Sequence, residues 1–351
     1  MIILGIETSC DETALCLLEK KGEGFRILDN IVNSQIELHR EYGGVFPILA
    51  KREHIKNLPI LYNQILEDSK IDENKIDAIA VTEGPGLEPA LWTGILFAKE
   101  LGERLSIPVI PVNHMEGHIV STLLTSSEVG SEFIILKLLT FPAIAVLISG
   151  GHTEIVKVDE IGSYEILGRT KDDAIGEAFD KVARMLGLPY PGGPEISRLS
   201  EEVRSERLPN TITLPRPMIH SKDLNMSFSG LKTSVLYKLK EIGEINNDIK
   251  KEIAREFEDA VTEVIMTKTE KALEEYECLT LIVGGGVIAN THIRKAFESL
   301  ASRHHIPLYL PAQGLTGDNA VMIALAGHLS PKTKGPSDIK ARGNLSLESR
   351  D

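Results

Sequence analysis

The sequence of 351 residues contains little cysteine and no long hydrophobic run. Its three cysteines, Cys10, Cys16 and Cys278, include no CxxC pair, so we expect neither a disulfide framework nor a cysteine-based zinc site. Such sparing use of cysteine is typical of a protein of the reducing cytoplasm. No apolar run of about eighteen residues occurs, so no membrane-spanning helix is predicted. Residues 1–5 enter a strand pattern without a charged leader, so no export signal is predicted either.

Basic residues are outnumbered as well. The chain has 38 lysines and arginines against 51 aspartates and glutamates, which gives a formal net charge of −13. A dedicated nucleic-acid binder normally presents a basic patch, so this charge argues against such a protein acting alone. Contact with a nucleic acid would therefore require a local basic surface or partner subunits that supply the cations.

The two common glycine-rich phosphate motifs are missing, since the chain has no Walker A sequence and no GxGxxG. Three other glycine-rich turns do occur, at residues 149–153 (SGGHT), 190–194 (YPGGP) and 284–290 (GGGVIAN). Because glycine has no Cβ, backbone N–H groups in such turns can approach a phosphate or a base closely. About one such turn in three touches a ligand, so a single turn is weak support for a binding site.

Two stretches of the chain share a pattern of strand, tight polar turn and strand. The first comprises residues 2–9 and 12–19, and the second comprises residues 144–148 and 154–158. Helical spacing of apolar residues at 50–69 separates the two copies. This weak repeat predicts a duplicated α/β domain with a cleft between its halves.

Residues 114–118 (HMEGH) place two imidazoles four positions apart. On a helix, His114 and His118 share one face at about 6 Å, close enough for one metal ion. Glu116 sits one place too late for the HExxH motif of zinc peptidases. A histidine pair at this spacing is structural in roughly half of cases, so a metal site needs a third ligand from elsewhere.

Asp318 is the best candidate for this third ligand on chemical grounds. Two histidines and one carboxylate suit a divalent iron or zinc ion that keeps positions open for a substrate. Asp318 also precedes an apolar helix, where aspartate commonly serves as the N-terminal cap. From the residues alone, metal ligand and helix cap are both open interpretations.

A predicted helix at residues 172–186 carries Asp180. Glu177 and Lys181 lie i, i+4 on this helix and form a surface ion pair by default. As an isolated residue, Asp180 is expected to be a solvated carboxylate rather than a ligand contact.

Several motifs follow one another in the order of a known family. They are residues 5–13 (GIETSCDET), 113–118 (NHMEGH), 147–153 (LISGGHT), 177–181 (EAFDK), 191–194 (PGGP), 228–233 (FSGLKT), 286–290 (GVIAN) and 318–319 (DN). With these motifs the chain resembles the TsaD family, related to the KEOPS catalytic subunit of archaea and eukaryotes, over residues 2 to about 328. The Glu-Gly before the second histidine is similar to the bacterial branch of the family.

The resemblance implies an α/β fold of two duplicated lobes, like those of actin-like and sugar-kinase-like ATPases (ribonuclease H-like). We expect a first lobe at residues 1–120, completed by the C-terminal helix near 318–330, and a second lobe with a helical insertion at 121–330. Residues 331–351, rich in Lys, Ser, Pro and Gly, are expected to form a flexible basic tail. This tail and the segment 124–142, which is longer than usual, depart from the family pattern.

The resemblance also implies roles for individual residues. The implied ligands of one divalent metal ion, Fe²⁺ or Zn²⁺, are His114, His118 and Asp318. The implied contacts of threonylcarbamoyl-AMP are Leu147, Ile148, Ser149, Gly150, Gly151, Asp180, Gly193 and Asn290. Weaker candidates for catalysis line the turn after the first strand: Glu7, Ser9, Asp11 and Glu12. Of these, Asp11 or Glu12 is the candidate to accept a proton.

The implied activity is transfer of a threonylcarbamoyl group from threonylcarbamoyl-AMP to N6 of adenosine 37 in tRNAs that read codons beginning with A, with release of AMP. The implied partners are tRNA, a TsaB-like inactive paralogue and a TsaE-like ATPase, with no membrane involved.

The main alternative is a zinc metallopeptidase, the historical sialoglycoprotease label of this family. A peptidase needs a carboxylate beside a metal-bound water. Glu116 is poorly placed for that role, because it points away from the face that His114 and His118 share. A kinase or carbamoyltransferase of the same fold would leave the histidine pair unexplained, and a non-catalytic scaffold would not need all three ligands.

Overall fold

The structure is a computed structural model that describes residues 1–124, 129–130, 133–206, 211–329 and 336–348. Two β-sheets organise these residues. The first sheet has six strands in the order β5-β4-β1-β2-β3-β6. Their bounds are β1 Ile2–Glu7, β2 Glu12–Lys21, β3 Gly24–Ser34, β4 Ala78–Gly84, β5 Val109–Asn113 and β6 Ile134–Ile135.

The second sheet has five strands in the order β11-β10-β7-β8-β9. Their bounds are β7 Ala143–Ile148, β8 Thr153–Glu160, β9 Ser163–Arg169, β10 Thr280–Gly284 and β11 Leu308–Tyr309. In both sheets the first strand pairs antiparallel with the next one in sequence and parallel with a later one. The order 5-4-1-2-3 of the first sheet thus recurs as 11-10-7-8-9 in the second. This repeat confirms the predicted duplicated α/β fold.

Helices cover both faces of each sheet. Within the described ranges they are α1 Ile36–Arg40, α2 Pro47–Ser69, α3 Glu88–Leu105, α4 His114–Ser121, α5 Ile175–Met185, α6 Gly192–Glu206, α7 Ser229–Ile242, α8 Asn247–Glu275, α9 Thr291–His304 and α10 Ala320–Leu329. None of these helices is long and apolar enough to cross a membrane.

Three hydrophobic clusters define the layers of the molecule. Helices α2 and α3 pack on the outer face of the first sheet, and α5 to α9 pack on the outer face of the second. Helices α4 and α10 lie between the sheets, in a cluster that contains residues of both. Because β4, β7 and β10 are covered on both faces, they are buried at every position. The continuous apolar runs of these strands reflect that burial.

The close approach of α10 to the first sheet requires glycine at one position of β1. A Cβ on Gly5 would lie 2.3 Å from the carbonyl oxygen of Ala320, the first residue of α10. That separation is far inside van der Waals contact, so only glycine allows the start of α10 to pack here. Asp318 lies two residues before Ala320, and this contact therefore also helps to position Asp318.

Residues 336–348 differ from the predicted flexible tail. Ile339 is fully buried, and Leu347 is 7% exposed. Lys99 Nζ donates a hydrogen bond of 2.8 Å to the carbonyl oxygen of Ile339. The polar composition suggested looseness, but burial of these two apolar side chains anchors the segment on the first lobe. Residues 331–335 and 349–351 lie outside the described residues.

The boundary between the lobes is only partly visible in the sheets. Strand β6 follows residue 121, yet it pairs with β3 and so extends the first sheet. Helix α10 packs on strands of the same sheet, far from them in sequence. The division into residues 1–120 and 121–330 stays a prediction. Residues 125–128 and 131–132 of the longer segment lie outside the described ranges.

Candidate functional site

The histidine pair lies at the start of α4, which follows β5 directly. Asn113 caps this helix, because its Oδ1 accepts the backbone N–H of Met115 at 2.9 Å. The imidazole rings of His114 and His118 lie 4.7 Å apart between centroids and meet edge to face. Both rings are buried in the layer between the two sheets. The predicted helix therefore brings the two imidazoles together.

Asp318 completes this cluster. Its Oδ1 lies 3.3 Å from Nε2 of His114 and 3.3 Å from Nε2 of His118. The cap of α10 is the next residue, Asn319, whose Oδ1 accepts the backbone N–H of Met322 at 3.1 Å. The interpretation of Asp318 as a helix cap is thus wrong, and its carboxylate faces the two imidazoles.

The three side chains fit a divalent cation. Candidate ligand atoms of His114, His118 and Asp318 all lie within 4.8 Å of one another. His118 Nε2 is buried, and no hydrogen bond within the described residues satisfies it, since Asp318 Oδ1 at 3.3 Å meets it without hydrogen-bond geometry. An unpaired buried nitrogen is costly, and coordination of a cation would satisfy it. Two nitrogens and one carboxylate oxygen form a donor set that suits iron or zinc.

Attraction between opposite charges in this cluster shifts the pKa values of His114 and Asp318. Burial lowers the pKa of His114, but the carboxylates of Asp318 and Glu7 outweigh burial and hold that pKa well above its usual value. Burial opposes ionisation of Asp318, yet the imidazoles of His114 and His118 hold its pKa far below the usual range. Asp318 is therefore an anion, as a metal ligand must be.

Glu7 has a larger part in the site than the sequence indicated. It lies at the end of β1, and its side chain is fully buried. Its Oε2 lies 2.9 Å from His114 Nδ1 and accepts a hydrogen bond of 2.7 Å from Thr82 Oγ1. Ser9 Oγ lies 3.2 Å from the same Nδ1. The contact between Glu7 and His114 Nδ1 leaves His114 Nε2 facing Asp318. A carboxylate orients a metal-bound histidine by the same arrangement.

Replacing Glu7 with glutamine should therefore weaken metal binding by about 10- to 100-fold, the usual cost of losing a partner that orients a ligand. Titration of metal-depleted protein with Zn²⁺, followed by calorimetry, measures this change. Thr82→Val is the matched control, because it removes a hydrogen bond to Glu7 but not the contact with His114. Equal affinities of Glu7→Gln and the unchanged protein would show that Glu7 does not orient His114.

Asp11 and Glu12 lie where the first sheet turns from β1 to β2. Asp11 is 7% exposed. Glu12 Oε1 accepts a hydrogen bond of 3.3 Å from Ser34 Oγ. Burial, with the charges of Asp11 and Asp318, raises the pKa of Glu12 to about 10. Glu12 is thus a carboxylic acid at neutral pH.

A cavity of about 560 Å³ opens beside the glycine-rich turns of the second lobe. Its lining comprises Gly150, Gly176, Phe179, Asp180, Pro191, Gly193, Pro194, Ser197, Arg198, Glu201, Gly286, Val287, Ala289, Asn290 and Thr291. A Cβ on Gly150, Gly193 or Gly286 would meet no atom within 4 Å, so these glycines border open space. The three turns therefore converge on one cavity, and its volume is within the range of small-molecule sites.

Four predicted substrate contacts lie in this lining: Gly150, Asp180, Gly193 and Asn290. The other four stand next to it in the chain. Leu147 and Ile148 are interior residues of β7 with fully buried side chains. Ser149 and Gly151 flank Gly150 in the turn, where Ser149 Oγ accepts the backbone N–H of His152 at 3.1 Å. Leu147 and Ile148 point to opposite faces of β7, and both side chains lie in the core because both faces of this strand are covered.

Asp180 differs from the solvated carboxylate expected of it as an isolated residue. Its Oδ1 accepts the backbone N–H of Gly192, the first residue of α6, at 2.7 Å. Burial raises the pKa of Asp180, against the hydrogen bonds from Gly192 and Gly193. Asp180 therefore fixes the start of α6 at the edge of the cavity. The ion pair between Lys181 and Glu177, at 2.7 Å, is confirmed.

The cavity and the histidine cluster are neighbours. A Cβ on Gly284, at the end of β10, would lie 2.8 Å from the carbonyl oxygen of His118. The turn that begins at Gly284 also contributes Gly286 and Asn290 to the cavity. The metal candidates on α4 and the cavity of the second lobe therefore share one wall.

Glu116 forms a structural hydrogen bond and does not occupy the position of a peptidase general base. Its side chain is buried, and Oε1 accepts the hydroxyl of Tyr164 at 2.9 Å. Tyr164 belongs to β9, so this contact connects α4 to the second sheet. A general base must reach a metal-bound water, and the geometry gives Glu116 no such position.

The fold and the site define a class: duplicated actin-like lobes with a candidate metal site beside a cavity of small-molecule size. Full-length HypF in its phosphate- and nucleotide-bound form matches with a TM-score of 0.59 and 14% identity over 95% of this chain. The chain spans 47% of that structure, about half its length. The ADPNP-bound activator of 2-hydroxyisocaproyl-CoA dehydratase from Clostridium difficile matches with a TM-score of 0.50 and 12% identity, covering 95% and 99% of the two chains. At these identities the likeness shows the fold alone.

The sequence comparisons are more specific. A family model described as TsaD, tRNA N6-adenosine threonylcarbamoyltransferase, matches residues 26–325. A protein of that name from Polynucleobacter necessarius is 46% identical over 365 residues, covering 98% of both chains. One from Thermosipho africanus is 44% identical over 349 residues, covering 99% of this chain and all of the relative. The chain belongs to the TsaD family.

Proposed function

We propose that this protein transfers a threonylcarbamoyl group from threonylcarbamoyl-AMP to N6 of adenosine 37 in tRNAs reading codons that begin with A, and releases AMP. The observation that carries the proposal is the cluster of His114, His118 and Asp318 beside the cavity lined by glycine turns. The relatives that cover nearly the whole chain are named for threonylcarbamoyl transfer to tRNA adenosine. As an enzyme it is an acyltransferase.

The proposed roles separate metal binding from phosphate binding. His114, His118 and Asp318 would hold one divalent ion, Fe²⁺ or Zn²⁺, which would polarise and orient the threonylcarbamoyl group. The turns around Gly150 and Gly193 would place backbone N–H groups on the phosphate of the adenylate.

The acyl transfer has one bond formed and one broken. The N6 amine of the tRNA adenosine attacks the carbonyl of the mixed anhydride, and the bond to the AMP phosphate breaks. The amine proton must leave, and the carboxyl group of Asp11 is the candidate acceptor. Glu12 supports this choice, since a pKa of about 10 keeps it protonated at neutral pH.

The acidic balance of the chain bears on its partners. With a net charge of −13, the protein needs cations from a local Lys/Arg surface or from other subunits to hold tRNA phosphates. We propose a TsaB-like inactive paralogue and a TsaE-like ATPase as those partners, and a cytoplasmic location.

The test combines purified protein with tRNA, threonylcarbamoyl-AMP and these partners, followed by mass spectrometry of the tRNA nucleosides. We expect threonylcarbamoyl adenosine to form only when all substrates are present. Absence of modified adenosine under every partner set would refute the transfer. Cleavage of a test peptide by the same preparation would then support the metallopeptidase alternative.

A further inference from the structure

A buried carboxylate outside the cavity connects two of its walls. Glu258 lies in the middle of α8, and its side chain is fully buried. One oxygen accepts a hydrogen bond of 2.5 Å from Asn290 Nδ2, and the other accepts a hydrogen bond from Arg204 Nη1. A buried charge is expensive unless it is paired in this way. None of the roles derived so far uses this group.

The contact with Asn290 sets the orientation of a side chain that lines the cavity. Asn290 Oδ1 accepts the backbone N–H of Ile293 at 3.0 Å and so caps α9. Since a backbone N–H only donates and a carboxylate only accepts, these two bonds fix which end of the amide is which. Nδ2 keeps a second hydrogen beyond the one given to Glu258. Glu258 thereby holds the amide of Asn290 in one orientation at the cavity wall.

The contact with Arg204 connects Glu258 to a second element of the cavity lining. Arg204 lies on α6, the helix that contributes Gly193, Ser197 and Arg198 to the cavity. Its Nη2 also donates to Asp259 Oδ1 at 2.5 Å, so the guanidinium bridges two consecutive acidic residues of α8. Paired charge-assisted hydrogen bonds of this kind are strong and directional. The position of α6 relative to Asn290 therefore depends on Glu258.

We infer that Glu258 is a positioning residue for the nucleotide half of the substrate, acting through Asn290 and through α6. This inference rests on the proposed function, which assigns the cavity to the adenylate. Glu258 lies behind the wall and is not itself part of the cavity lining. It sets the direction of one amide donor and the width of the cavity. Its loss would therefore weaken binding of an adenine nucleotide more than it weakens the fold.

The experiment measures AMP binding to the purified full-length chain by calorimetry, together with its melting temperature. Glu258→Gln places an amide N–H against either Asn290 Nδ2 or Arg204 Nη1, both donors, so we expect AMP affinity to fall by about tenfold or more. Glu258→Asp keeps the charge beside Arg204 but shortens the reach to Asn290. It should show the same loss of affinity, and it serves if the glutamine variant does not fold.

Glu256→Gln is the matched control. Glu256 is also a buried glutamate of α8 with an arginine partner, Arg216, and neither residue belongs to the cavity lining. It should lower the melting temperature to a similar extent and leave AMP affinity unchanged. If Glu258→Gln and Glu256→Gln bind AMP equally well, Glu258 is merely structural and the inference fails.

A double variant tests whether Glu258 acts through Asn290. Asn290→Ala combined with Glu258→Asp should bind AMP no more weakly than Asn290→Ala alone, and additive losses would overturn the coupling. Asn290→Ala with unchanged AMP affinity would count against the adenylate assignment of the cavity, and so against the proposed function itself. The two failures are thus distinguishable.

Discussion

Asp318→Ala is expected to abolish stoichiometric metal binding and to lower threonylcarbamoyl transfer by roughly 10³-fold. A bound metal contributes several kcal/mol of transition-state stabilisation, and each 1.4 kcal/mol is about tenfold in rate. Among the three candidate ligands found within the described residues, Asp318 is the one that supplies a carboxylate. Metal content by mass spectrometry and the initial rate of tRNA modification measure the two effects. Helix α10 should keep its start, because Asn319 provides the cap.

The control for this change is Glu116→Gln. Glu116 lies between the two histidines on α4 and is buried, but its hydrogen bond goes to Tyr164. We expect this variant to retain its metal and its transfer activity. Asp318→Ala protein that still binds one equivalent of metal would overturn the assignment of the site. Loss of activity in Glu116→Gln with metal retained would revive the general-base role that a peptidase requires.

Asp11→Ala is expected to lower the turnover of threonylcarbamoyl transfer by about 10²- to 10⁴-fold, the usual range for loss of a general base. Asp11 is almost fully buried at the β1–β2 turn, and its charge helps to keep Glu12 protonated. Single-turnover rates at saturating tRNA and threonylcarbamoyl-AMP measure the chemical step apart from binding.

The comparison for Asp11 is Glu23→Ala, an exposed acidic residue in the turn between β2 and β3. It changes the net charge by the same amount at the other end of β2, away from the site, so its rate should stay that of the unchanged protein. Unchanged turnover of Asp11→Ala at saturating substrates would remove Asp11 from the chemistry. The proton would then leave to solvent or to the phosphate.

Local signals in the sequence predicted the regular elements well. The spacing of apolar residues at 50–69 predicted a helix that the structure places at Pro47–Ser69, as α2. The paired strand-turn-strand patterns predicted the duplication that the two strand orders confirm. These features depend on periodicity over neighbouring residues, and the backbone geometry of a strand or helix translates such periodicity directly into structure.

Side-chain partners from distant elements were beyond such reasoning. The choice between cap and ligand for Asp318 depended on Asn319 taking the cap of α10. Asp180 was expected to be solvated, but its carboxylate accepts the backbone N–H of Gly192 at the start of α6. Residues 336–348 were expected to belong to a flexible tail, but the side chain of Ile339 is buried in the first lobe. In each case a partner far along the chain, or a competing neighbour, decided the outcome.

By itself the sequence determined the fold class, the helix that carries His114 and His118, and the turns that hold Gly150 and Gly193. It did so because local periodicity, glycine content and ordered motifs are properties of short segments. Only the tertiary structure decided that Asp318 faces the two imidazoles, that Glu7 orients His114, and that Glu258 holds Asn290 against α6. Those contacts join layers separated by many residues, and the packing of α4 and α10 between two sheets is what brings His114, His118 and Asp318 together.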